Sequence, residues 1–219
     1  MTVYQEFLEN SLNQRIKELI PLTGGASADI NRIILENDSQ LIVRRSLSQE
    51  KSQLGIAKTL EAKIQKVVKE SGAPVPEILF EFSEGDEIGE GYVMESIPGE
   101  TIPRKILRDD KFATVREKLP FEIGKSLAQI HQTNVKNLQE LEQVNFHDAL
   151  NKLFAVYTSF EQPQPVFDLA FKWLHAQDLR DYGQVLVHGD FRFGNFIISE
   201  DNLESVIDWE LAHIGNPME

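Results

Sequence analysis

Up to about residue 100, apolar positions along the chain come in short runs cut by turn residues, which is the pattern of strands. Residues 15–22 form one such run and enter the loop Thr23-Gly24-Gly25-Ala26-Ser27-Ala28-Asp29. Residues 30–35 and 40–45 flank Asn37-Asp38-Ser39, a hairpin signature. Residues 77–82 and 92–97 flank a glycine- and acid-rich loop, residues 83–91. Two segments in this half have helical spacing instead. Residues 2–12 carry Phe7, Leu8 and Leu12 on one side, and residues 52–70 carry Ala57, Leu60, Ile64, Val67 and Val68. Gly72 ends the second helix, and Ala73-Pro74-Val75-Pro76 leads stiffly into the next strand. Five strands and a crossing helix are therefore expected before Pro98-Gly99 breaks the pattern.

Beyond that break the period changes. Ile123, Leu127 and Ile130 predict a helix over residues 120–132, with Pro120 suited to its first turn. Residues 146–160 and 166–179 predict two more amphipathic helices around Glu161-Gln162-Pro163-Gln164-Pro165. His131, His147 and His175 fall on these helices and read as packing or surface residues. Residues 185–210 then return to strands, as strand, loop, strand, turn, strand. The pattern predicts an α+β chain with a boundary after residue 97, residues 1–97 being sheet-rich and 98–219 mainly helical. No internal repeat or low-complexity run occurs.

Composition narrows the class. With 41% hydrophobic and 26% charged residues over 219 positions, a sizeable buried core is within reach. No segment has the roughly 18 apolar residues of a membrane span, and the acidic start MTVYQEFLENSLNQ does not read as a secretory signal. The absence of cysteine excludes disulfides and thiolate chemistry and is compatible with a cytoplasmic location, which is the expectation. A formal net charge of −13 argues against nucleic acid as the partner. The same charge would suit a cationic small substrate, but we read it as a solvated acidic surface.

The chemistry concentrates in residues 185–210. Strand ends deliver three oxygen-bearing side chains, Asp190, Asn195 and Asp208, a donor set suited to a hard cation such as Mg²⁺ completed by water and phosphate oxygens. Asp190 and Asn195 have the spacing of the kinase catalytic loop, and Asp208 lies where the magnesium-binding aspartate would follow. His188 reads as a buttress of the loop, since Asp190 fills the proton-accepting role.

The combined pattern HGDFRFGN followed by IDWE resembles the aminoglycoside phosphotransferase-like family of small-molecule kinases, of the choline kinase type. In particular it resembles the branch associated with acyl-CoA dehydrogenases. The resemblance covers the chain from about residue 15 to its end and implies a protein kinase-like, two-lobed fold. The N-lobe would hold a five-stranded antiparallel sheet plus one helix. The helical C-lobe is expected to be shorter than the family's at its C-terminus. It implies ATP (or GTP) and Mg²⁺ as cofactors and a small-molecule hydroxyl as acceptor. Asp190 would be the base, Asn195 and Asp208 would hold the metal, and Arg192 would be a candidate to steady the transferring phosphoryl group or else a structural loop arginine.

For the nucleotide, the GGAS loop with Ser27 would cover the phosphates, and Ile42 and Arg44 would take the places of the alanine and lysine of the kinase β3 strand. Glu61 lies on the apolar stripe of its helix, where a carboxylate needs a partner, and Arg44 is the expected one. YVMESIPG resembles the kinase hinge, with Met94 at the back of the pocket and the backbone of Glu95 and Ile97 facing the adenine edge. Glu210 could be an outer-shell group, an acceptor contact or a solvent-facing residue. A non-catalytic nucleotide-binding module remains the alternative. A metallophosphoesterase is disfavoured because no D-x-H occurs.

Overall fold

The computed structural model describes residues 2–22, 29–46, 55–83, 88–177 and 183–218. Helix α1 (Val3–Leu12) opens the chain, with the Thr2 hydroxyl accepting from the Gln5 N–H at 3.2 Å as its N-cap. Strands β1 (Ile16–Pro21), β2 (Asp29–Leu35), β3 (Gln40–Ser46), β4 (Ile78–Phe82) and β5 (Glu90–Glu95) form one sheet in the order β1-β2-β3-β5-β4. Every neighbouring pair in it is antiparallel. The β2–β3 hairpin turns on Asp38 at φ +62°, a left-handed position that Asp tolerates better than most residues. One face of the sheet packs Ile33, Leu35, Val43 and Val93 against Leu8 of α1.

Helix α2 (Lys58–Glu70) crosses between β3 and β4. Its N-cap, Ala57, has no side chain that can accept a hydrogen bond. The carboxylate of Glu90, at the start of β5, takes that part by accepting from the Thr59 N–H at 2.9 Å and from its hydroxyl at 2.8 Å. Ile64 and Val68 of α2 belong to the hydrophobic core of the second half, alongside Ile106, Phe112, Leu186, Phe196 and Trp209. The helix thus couples the sheet to what lies below it. The backbone does so as well: Val206 N–H donates to Pro74 O at 2.8 Å and Ile56 N–H to Glu210 O at 3.0 Å.

The second half holds α3 (Pro103–Arg108), a short 3-10 turn, α4 (Ala113–His131), α5 (Phe146–Ser159) and α6 (Pro165–His175). Two small antiparallel sheets follow, β6 (Val185–Val187) with β9 (His213–Gly215), and β7 (Phe196–Ile198) with β8 (Leu203–Val206). This is the α+β arrangement that the pattern implied, and the protein kinase-like one that the resemblance implied.

Several boundaries differ from expectation. The helix expected from residue 120 starts at Ala113, so Pro120 lies inside it rather than in its first turn. An internal proline costs about 3 kcal/mol. Burial of Val115, Leu119 and Ile130 along one face offsets that at about 1.5–3 kcal/mol per side chain, and Pro120 itself is exposed. The helix expected from residue 52 starts at Lys58 in the described residues, after the extended stretch 55–57, and the last helix ends at His175 rather than at residue 179. Strand β5 runs from Glu90 to Glu95, not from residue 92 to 97: Glu95 pairs with Leu41, and β3 begins at Gln40, so the ladder has no partner to continue on. Strand β9 was not expected.

Candidate active site

Two devices build the loop between β6 and β7. Gly189 sits at φ +82°, and a Cβ there would run into the Leu211 carbonyl, so only glycine fits without moving backbone. His188, 1% exposed, braces the loop from inside. Its Nδ1 accepts from the Asp190 N–H at 3.2 Å and its Nε2 lies 3.1 Å from Ile207 O, so Nε2 carries the proton and donates. Burial pushes the imidazole down to about 4, against the pull of that carbonyl and of Asp208 and Asp190, and keeps it neutral at pH 7. The ring packs 4.5 Å from the buried indole of Trp209. The expected buttress role of His188 is what the geometry shows.

Ile207 is the knot. It takes the His188 bond through its carbonyl, and its N–H donates to Asn195 O at 2.9 Å. Both ends of the loop are thereby fastened to the residue before Asp208. Asn195, 6% exposed, donates through Nδ2 to Asp190 O at 2.9 Å and to Asp190 Oδ2 at 2.8 Å. Asp190, Asn195 and Asp208 are therefore held on one scaffold. Asp208 adopts φ +70°, a strained conformation for a non-glycine residue, costing of order 1–3 kcal/mol and supported only by such surroundings.

Arg192 is bound to the carboxylate it follows. Its Nε lies 2.8 Å from Asp190 Oδ1 and 3.0 Å from Oδ2, while its side chain is 63% exposed. Burial pushes the Asp190 carboxyl up, but the hydrogen bonds from Arg192 and Asn195 outweigh this, and it ends below its usual range. Asp190 is ionised at neutral pH.

The expected Arg44–Glu61 pair is present, but in a larger network. Arg44 Nε is 3.3 Å from Glu61 Oε2, an ion pair without hydrogen-bond alignment. Arg44 Nη2 donates to Asp208 Oδ1 at 2.7 Å and to Glu210 Oε2 at 2.9 Å. Lys58, 4% exposed, pairs with the other Glu61 oxygen and lies 3.6 Å from Glu210 Oε2. The Tyr92 hydroxyl donates to Glu61 Oε2 at 3.0 Å and accepts from Gln65 Nε2 at 3.2 Å. Burial pushes Glu61 up, resisted by Arg44 and Lys58. Lys58 and Glu210 were not assigned these roles from the sequence. Lys58 could have been found, because it stands one helical turn before Glu61 on the same face.

Arg44 and Asp208 also line a cavity of about 370 Å³. Ile42, Met94, Glu95, Ile97, Ile197 and Ile207 line other parts of its wall. The Glu95 N–H is spent on Glu77 O at 2.9 Å and so does not meet a ligand edge. Ser27 lies outside the described residues. Among the described residues, no group of three or more His, Cys, Asp or Glu side chains could hold a metal unaided. Asp208 Oδ2 and Asn195 Oδ1 accept no hydrogen bond there and offer two hard oxygens, a set that fits Mg²⁺ if phosphates and water supply the rest.

Residues 18–219 match the family described as "Phosphotransferase enzyme family". Among curated proteins, acyl-CoA dehydrogenase family member 11 of Pongo abelii is 34% identical over 174 residues, covering 72% of this chain and 21% of that protein. Acyl-CoA dehydrogenase family member 10 of Mus musculus is 27% identical over 192 residues, covering 82% and 18%. The chain thus spans only about a fifth of these relatives. Among solved structures, a Ralstonia eutropha protein designated an aminoglycoside phosphotransferase aligns with a TM-score of 0.78 at 19% identity, covering 97% of this chain and 66% of that one. The ternary complex of APH(2")-IIa with streptomycin and ATP aligns with a TM-score of 0.70 at 19% identity, covering 99% and 74%.

Proposed function

Because the chain belongs to the phosphotransferase enzyme family, we propose that it transfers the γ-phosphoryl group of ATP, or of GTP, to a hydroxyl group of a small molecule. The observation that carries this reading is the fastening of Asp190, Asn195 and Asp208 to one another through Ile207, beside a cavity whose wall includes Arg44. Residues 1–97 would serve as the nucleotide lobe and residues 98–219 as the catalytic lobe.

The nucleotide base would lie between Ile42 and Ile207, its edge meeting the Glu95 carbonyl and the Ile97 N–H, with Met94 at the back of the pocket. Arg44 would give Nη2 to a phosphate oxygen, and Glu61 with Lys58 would keep its stem in place. Asn195 and Asp208 would hold Mg²⁺, whose contribution is neutralisation of phosphate charge. Asp190, ionised and with its backbone fixed by His188, would accept the acceptor proton and aim the hydroxyl oxygen. Arg192 occupies both Asp190 oxygens and must swing away before the acceptor approaches; its exposure makes that movement cheap. In the swung position its charge could steady the transferring group. Ser27 would contribute to the phosphate-covering loop.

Thermal unfolding with ATP and Mg²⁺ tests the assignment. Together they should stabilise the protein more than either alone, by about 2.7 kcal/mol at 100 times the dissociation constant. Asp208→Ala should remove the part that depends on Mg²⁺. An unchanged shift in that variant takes Asp208 out of the metal site.

A further inference from the structure

The cavity wall carries a second arginine, Arg32, and its situation is the opposite of Arg44's. Arg44 has three carboxylates within 3.3 Å. Arg32 makes no hydrogen bond or ion pair among the described residues, and its Nε is buried without a partner. A buried N–H left unpaired costs free energy, so such a group calls for an explanation.

Strand register places it. Arg32 pairs with Ile42 on β3, and Ile42 pairs with Met94 on β5. The adjacent row is Ile30, Arg44 and Tyr92. Side chains alternate along a strand, so Ile30 and Arg32 share the cavity face while Asn31, 5% exposed, is buried on the other. In that row the Arg44 side chain reaches Asp208 and Glu210, so the acidic groups lie on its side of the cavity. The Arg32 row runs through Ile42 and Met94 to Ile78 on β4, and Met94 leads into Glu95–Ile97, which also line the cavity. Ile42, Ile197 and Ile207 line the same cavity and give it an apolar wall suited to a flat ring.

We propose that Arg32 is a nucleobase contact whose guanidinium stacks on the face of a bound purine at the end of the cavity remote from the phosphates. The inference rests on the nucleotide reading given above and adds a residue to it. A planar guanidinium stacks on aromatic faces where a lysine ammonium does so less well, and every base has a π-face. The contact therefore strengthens purine binding without choosing between adenine and guanine.

The test is displacement of a fluorescent ATP analogue by adenosine, guanosine, ATP and inorganic tripolyphosphate, for wild type, Arg32→Leu and Arg32→Lys. The cation–π range corresponds to a loss of roughly two- to thirtyfold. That loss should appear for adenosine, guanosine and ATP by similar factors in Arg32→Leu, with tripolyphosphate unchanged and Arg32→Lys in between. A loss confined to tripolyphosphate and ATP would make Arg32 a phosphate contact and overturn the proposal. Equal affinities in all three proteins would overturn it too, and Arg32→Lys alone decides this if the leucine variant does not fold. A wild type from which neither nucleosides nor ATP displace the probe would refute the nucleotide reading itself, a result distinguishable from the others.

Discussion

Removing Arg44 should cost more stability than removing Glu61, although the two face each other. Among the described residues the cluster holds three carboxylates (Glu61, Asp208, Glu210) and two cations (Arg44, Lys58), one net negative charge. Arg44→Met leaves two net negative charges around a fully buried glutamate, and Glu61→Met leaves none. Breaking a buried pair by deleting one partner costs about 3–5 kcal/mol when the survivor is stranded. Lys58 still holds Glu61, while Asp208 and Glu210, at 33% and 23% side-chain exposure, are partly screened by water. We therefore expect about 3 kcal/mol for Arg44→Met, the lower end of that range. Glu61→Met strands the Tyr92 hydroxyl, a buried donor worth about 1–2 kcal/mol, while Arg44 keeps Asp208 and Glu210 and Lys58 keeps Glu210 at 3.6 Å. The double variant should resemble Arg44→Met rather than the sum. Urea unfolding without nucleotide, at pH 7 and 0.15 M salt, measures all three. If Glu61→Met costs as much as Arg44→Met, or the two losses add, the shared network is wrong and the residues act separately.

Three shorter expectations follow from the loop geometry. Asp190→Asn should lower kcat and kcat/KM together by roughly 10²–10⁴-fold while ATP affinity barely moves; near-normal turnover would show that Asp190 is not the base. Gly189→Ala must place a side chain at φ +82° against the Leu211 carbonyl, so unfolding should move by at least about 1–2 kcal/mol, and a variant as stable as wild type would contradict that packing. His188 has its folded pKa depressed to about 4 from an unfolded value near 6.5, so its contribution is full above pH 6.5 and lost as pH falls towards 4. Between pH 6.5 and 4.5, above the main carboxylate titration, stability should drop more steeply in wild type than in His188→Gln. His131, lowered by burial as well, adds to both curves equally, and parallel slopes would mean that His188 is not buried neutral.

The parts of the fold that were legible in sequence are those whose signal is local and repeats. The hairpin about Asp38 and the shared strand face of Ile42 and Arg44 announce a half-buried sheet because side chains swap faces at each residue. The start of α4 was not legible, since Pro120 ordinarily marks a first turn and the burial of Val115, Leu119 and Ile130 that overrides it is a tertiary effect. Three-residue β9 is held by pairing with β6 rather than by its own pattern. The GGAS loop with Ser27 lies outside the described residues.

For the site, spacing located Asp190, Asn195 and Asp208 but could not show what competes for them. Arg44 and Asp208 are 164 positions apart, and nothing local to either says that they touch. That contact has a functional consequence. Arg44 Nη2 is already shared between Asp208 Oδ1 and Glu210 Oε2, so it cannot serve a phosphate at full strength without loosening its hold on Asp208. Each carboxylate it releases gains an uncompensated charge in a partly buried place, which raises affinity for a cation there. On the proposed reading, nucleotide and metal would thereby be coupled through one guanidinium. Lys58 keeps Glu61 and Glu210 partnered while Arg44 is drawn away, so the helix need not pay for the exchange. The cooperativity expected between ATP and Mg²⁺ is then a property of this charge network as well as of shared coordination.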